Sequence, residues 1–158
     1  MNSNFFYTLT LNDIHKDNLK KIITQIAAID DSGLEVALSL LPSIYGYLAC
    51  LLSEAKEQMD LAEVELEQRE AQLRKEIRET MKKQGAKITE KTLDAEVICS
   101  ADYITKRVEF IEATTKYNTM RNLLTTIEYK KDMVIQISAN TRNEKKLYTA
   151  WDLAQVVL

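Results

Sequence analysis

DYITKRVEFIEATTKYNTMRNLLTTIEYKKDMVIQISANTR, residues 102–142, contains neither Gly nor Pro. Within it Phe110, Ala113, Tyr117, Met120, Leu124, Ile127 and Val134 recur at alternating steps of three and four, interrupted only at Lys131. That beat is the seam of a helix that packs along another helix. A second apolar row, Ile104, Val108, Ile111, Leu123 and Ile137, widens the seam into a face, so this helix is expected to touch more than one neighbour. At 1.5 Å per residue it would run about 60 Å, longer than a compact domain of this size holds. The reading is therefore an elongated all-α protein whose other segments cover this helix.

The rest of the chain fits a fold with few turns. Its 158 residues include only three Gly and one Pro, which leaves long elements and a single all-helical domain, 1–158, as the expectation. Cys50 and Cys99 stand alone, His15 is the one histidine, and there is no CxxC pair. This is neither a zinc pattern nor a disulfide framework, and it suits a reducing cytoplasm. The N-terminus has no basic run ahead of an apolar one, so no signal peptide is read there.

Outward from the long helix, the elements follow in order. Residues 1–11 carry NFFYTLTL, aromatic and β-branched, and read as a short strand or extended arm. A first helix occupies 12–33, capped by Asn12 or Asp13 and ended by Asp30-Asp31-Ser32-Gly33. A long helix spans 34–84 in two unlike halves. Val36 to Leu52 carries no charge and approaches the length of a membrane span. Pro42 and Gly46 interrupt it, its polar side chains dilute it, and Glu35 and Glu54 flank it instead of Lys or Arg. A helix buried in a subunit interface or under the N-terminal arm is the expectation, in preference to a membrane span.

The second half is amphipathic, with Ala55, Met59, Ala62, Leu66, Leu73, Ile77 and Met81 near a heptad beat. It is the natural partner of the 102–142 helix. The connector, 85–101, begins at Gly85 and holds a short helix capped by Thr89, with Ile88 able to staple onto Leu93. Ser100 or Asp102 can cap the long helix. The two long helices then fold back as an antiparallel, coiled-coil-like hairpin with the short helix at its tip. In the C-terminal tail, 143–158, Leu147, Trp151, Leu153 and Val156 suggest a docking helix or an oligomer contact. Three apolar zones outside the hairpin, Phe5 to Leu11, Val36 to Leu52 and Leu147 to Leu158, exceed what one hairpin covers, which predicts a homo-oligomer.

Catalysis needs a nucleophile with its base, a carboxylate pair in a pocket, a metal cluster or a phosphate loop, and none is legible. The expectation is a non-enzymatic protein without cofactor or metal. Glutamates such as Glu70 and Glu79 face Arg74 and Lys83 four residues on, the support of a solvated helix.

Charge placement says more than the net charge of -3. Glu54 to Gln68 holds six acidic residues against Lys56, whereas Arg69 to Lys91 holds eight basic residues against four glutamates. Arg74, Arg78 and Lys82 are four apart and share one side of the helix, with Lys75 and Lys83 close by. Such a row can follow a phosphate backbone, or it can be a solvated face. No aromatic residue is interleaved to stack on bases.

The segment RKEIRETMKKQGAKITEKTLDAEV, a short connector, and then EATTKYNTMRNLLTTIEYKKDMVIQISANTR together resemble the UvsY-type phage recombination mediators. The likeness runs from Leu48 to Glu144 and is strongest over Leu123 to Arg142, in the Lys130-Lys131-Asp132-Met133 step and the Gln136 to Arg142 ending. The resemblance implies a cytoplasmic homo-oligomer, typically a ring of helical hairpins, acting in the host cell. It also implies binding to single-stranded DNA, help in displacing single-strand-binding protein, and loading of a RecA-like recombinase. The family's DNA-contacting basic positions lie on its first long helix and match Arg74, Lys75, Arg78, Lys82 and Lys83 here. The acidic total charge, the uncharged Val36 to Leu52 stretch and the apolar tail after Lys146 depart from that pattern. The competing expectation is a helical scaffold or adaptor that binds only protein.

Overall fold

The computed structural model describes residues 4–14, 16–27, 33–85 and 89–156, and side chains at 5–14, 18–26, 33, 35–85 and 89–146. All regular structure among the described residues is helical. The helices are α1 (Asn4–Tyr7), α2 (Lys16–Ala27), α3 (Leu34–Lys83), α4 (Glu90–Cys99) and α5 (Ala101–Val156), with a 3-10 turn at Leu11–Asp13 between the first two. The packing falls into two compact units, Met1–Leu51 with Met120–Leu158, and Leu52–Thr119.

In the first unit, the expected strand or arm at NFFYTLTL is a helical turn instead. The Thr8 hydroxyl donates to the Phe5 carbonyl at 2.9 Å, and Asp13 accepts from the Thr10 N–H and hydroxyl at 2.8 Å each. These local bonds satisfy polar groups that a strand would have to pair with a neighbouring strand. Phe6, Leu9 and Leu11 are buried, so packing has overridden the β preference of the residues between them. Asp13 closes the 3-10 turn, and within the expected 12–33 the described helix α2 covers Lys16–Ala27. Of the polar break expected at Asp30 to Gly33, only Gly33 is among the described residues. It stands at φ +95° and opens α3, its carbonyl accepting the Ala37 N–H at 3.0 Å.

α3 continues through Pro42, which has no N–H to offer the Leu38 carbonyl. Its row Ala37, Leu41, Ile44, Leu48 and Leu51 is buried, with Ile22 and Ile26 of α2 and Met120, Leu123, Ile127 and Val134 of α5 also in the core. The two tyrosines of the uncharged stretch are tied down inside this unit. Tyr47 donates to the Leu9 carbonyl at 2.7 Å, and Tyr45 donates to Glu128 Oε1 at 2.9 Å while the Lys131 ammonium lies 5.9 Å from its ring centre. The Glu128 carboxylate, by accepting that hydrogen bond, holds the Tyr45 phenol above its ordinary pKa. Among the described residues one helix, Glu35–Lys83, is long and apolar enough to cross a membrane by length and composition. Its most apolar window is 28% buried among the described residues.

In the second unit, Ala55, Leu66 and Leu73 of α3 are buried, as are Leu93 and Val97 of α4. Ion pairs flank them. Lys106 sits 2.8 Å from both Glu65 and Glu109, and Arg69 pairs with Asp102 and, at 3.4 Å, with Glu76. Of the second apolar row read on α5, only Leu123 is buried; Ile104, Val108, Ile111 and Ile137 are exposed, and so are Leu61 and Val64 on α3.

Gly85 ends α3 at φ +67°, its N–H returning to the Lys82 carbonyl at 3.2 Å, as its lack of a Cβ allows. Thr89 caps α4, its hydroxyl accepting the Thr92 N–H at 3.2 Å. Replacing Thr89 by Ala should cost about 1 kcal/mol. Denaturant unfolding would register it as a lower midpoint at unchanged slope, and an unchanged midpoint would mean that the cap is redundant. The staple partner Ile88 lies outside the described residues. The Ser100 carbonyl accepts the Ile104 N–H at 3.0 Å, and α5 begins at Ala101. α5 does not stop at Arg142 but runs on to Val156, because no Gly or Pro from 143 to 156 breaks it. The tail contacts expected of Leu147, Trp151, Leu153 and Val156 lie outside the described side chains.

Candidate nucleic-acid interface

The last three turns of α3 carry Arg74, Lys75, Arg78, Lys82 and Lys83, and Gly85 turns the chain so that α4 lies beside them. Leu73 of α3 and Leu93 and Val97 of α4 are buried here. Between the helices lies an open groove of about 350 Å³, lined by Arg74, Lys75, Arg78 and Lys82 with Glu79 and Glu90. Four of the five expected basic residues thus share one groove, and Lys83 stands exposed just outside its lining.

The five are not equivalent. Arg74 is half-buried and belongs to the framework: its Nε and Nη2 donate to Glu70 Oε1 at 3.1 and 3.0 Å, and its Nη1 lies 2.7 Å from Asp94 Oδ1 on α4. That Asp94 oxygen is shielded from solvent and has no aligned hydrogen bond, so the guanidinium holds it as an ionic contact. The hydrogen bonds to Glu70, followed by the contact with the Asp94 carboxylate, hold Arg74 above its ordinary pKa. Arg78 donates through Nη2 to Glu90 Oε1 at 2.7 Å. Lys75, Lys82 and Lys83 are exposed, and none of them is ion-paired among the described residues.

Two arginines therefore join α3 to α4, while three lysines remain open to an external anion. Spacing alone suggests one continuous row. The acidic partners on α4 divide it into paired and open cations, and those pairs, twelve and twenty residues apart, do not follow the i+4 spacing of a single helix.

Among the described residues no group of His, Cys, Asp and Glu could hold a metal ion, and Cys50 and Cys99 are free and exposed. The chain matches no protein-family model, no curated protein and no solved structure.

Proposed function

We propose that this protein is a non-enzymatic accessory factor of phage recombination that binds single-stranded DNA as a homo-oligomer in the host cytoplasm and helps load a RecA-like recombinase onto strands held by single-strand-binding protein. The observation that carries the reading is the groove between α3 and α4, which gathers Arg74, Lys75, Arg78 and Lys82 and leaves its lysines open. Lysine ammonium groups spaced along an exposed helix suit a flexible phosphate chain, which demands charge but no fixed bidentate geometry. Without aromatic side chains in the groove, binding draws on phosphates more than on base stacking, so little sequence preference is expected.

The hairpin part of the reading is supported by the order of contacts within the Leu52–Thr119 unit. Arg69 meets Asp102, Glu65 meets Lys106, and the Lys56 ammonium lies 6.0 Å from the Tyr117 ring centre. As one number falls the other rises, the order expected of antiparallel helices. Self-association is supported by the uncovered apolar positions Leu61, Val64, Ile104, Val108 and Ile111 on the outer sides of α3 and α5, which a second copy would remove from water.

A scaffold that binds only protein is the second reading, favoured by one specific observation: Arg74 and Arg78 already have carboxylate partners. Light scattering at micromolar concentration, with and without a single-stranded oligonucleotide, separates the two. The first reading predicts an oligomer that takes up the oligonucleotide; an oligomer that leaves it free favours the scaffold, and a monomer defeats the self-association common to both.

A further inference from the structure

Resting on the nucleic-acid reading above, we infer that Glu90 is a built-in competitor for the DNA phosphate: its carboxylate occupies the anion position at Arg78, and binding of a strand displaces it.

Three features combine. Glu90 lines the groove itself, at the first turn of α4, so its carboxylate stands among the cations and not behind them. Its oxygens lie 2.7 Å from Arg78 Nη2 and 3.9 Å from Arg74 Nη1, positions that a phosphate oxygen would take with the same donors. The pair is also accessible, Glu90 being 71% and Arg78 47% exposed. Exposed ion pairs gain little over their hydrated partners, so a polyanion that releases counterions on binding can exchange for the carboxylate at small cost.

The rest of α4 need not move for this exchange. Leu93 and Val97 stay buried, and Asp94 keeps its hold on the less exposed Arg74. Displacement is thus a side-chain swing at one helix end, which leaves Arg78 as a fourth contact beside the three lysines. A weak or short anion would meet three cations, and a strand long enough to reach Arg78 would meet four.

The test compares Glu90→Gln with Glu79→Gln, using fluorescence anisotropy of a labelled single-stranded oligonucleotide over a range of salt. Both substitutions remove one negative charge from the same groove, but Glu79 has no ion-pair partner to release among the described residues. In the parent protein Arg78 joins the strand only after displacing Glu90, whereas in Glu90→Gln it is free from the start. The expected result is several-fold tighter binding for Glu90→Gln with a log–log salt slope close to that of the parent, since both engage Arg78, and a smaller gain for Glu79→Gln. Equal behaviour of the two variants, or a Glu90→Gln curve identical to that of the parent, overturns the competitor. Absence of binding by the parent and both variants overturns the nucleic-acid reading itself.

Discussion

The triple variant Lys75→Ala, Lys82→Ala, Lys83→Ala is expected to lose on the order of a hundredfold in affinity for a single-stranded oligonucleotide at about 50 mM salt, and its log–log salt slope should be shallower by about 2. Each lysine that meets a phosphate releases counterion worth about 0.7 of slope on a single strand, and these three are exposed and unpaired among the described residues. None of them braces the helices, so the fold should be untouched. The companion Arg74→Ala gives the opposite pattern. It removes the guanidinium that Asp94 and Glu70 share, and should loosen α4 while leaving most of the salt slope in place. Equal losses from the arginine and the lysines would mean that the groove binds through its paired cations, contrary to the division drawn between them.

Leu93→Ala should destabilise the protein by about 2–5 kcal/mol, the range for deleting a buried leucine side chain. Leu93 is fully buried, and with Val97 it forms the apolar hold of α4, a helix of only ten residues that could not persist alone in water. Urea unfolding followed by circular dichroism would register the loss as a lower midpoint. Affinity for the oligonucleotide should fall far less than stability, because the three open lysines belong to α3 and keep their helix when α4 loosens. A Leu93→Ala protein as stable as its parent would show that α4 is held by its ion pairs and not by its apolar face.

Much of this architecture is legible in the chain because long helices write their packing at steps of three and four. Met120, Ile127 and Val134 stand in the seam read from their spacing and are buried, as are Ala55, Leu66 and Leu73 on α3. Gly85 and Thr89 mark an end and a start for local reasons, a positive φ and a side-chain cap, that need no tertiary partner. What spacing does not carry is which of two apolar rows finds a neighbour. Ile104, Val108 and Ile111 have the same periodicity as the seam and are exposed. Phe6 and Leu9 illustrate the converse, since their β-favouring context gives way to burial in and beside a helical turn.

The basic site is legible as a list of residues and illegible as an electrostatic arrangement. Arg74, Lys75, Arg78 and Lys82 do share a groove. Their division into braces and open cations depends on Glu90 and Asp94, residues of the next helix whose positions follow from the turn at Gly85 and the burial of Leu93. A charge count along α3 alone misses them, because the neutralising carboxylates come from across the groove.

If this groove meets the phosphates of a single strand, oligonucleotide binding by the unmodified protein must weaken steeply as salt rises. Three open lysines predict a log–log slope of about -2 or steeper, with binding strong at low salt and largely lost at moderate salt. No binding at low salt, or binding with a slope near zero, would mean that these lysines do not meet phosphate.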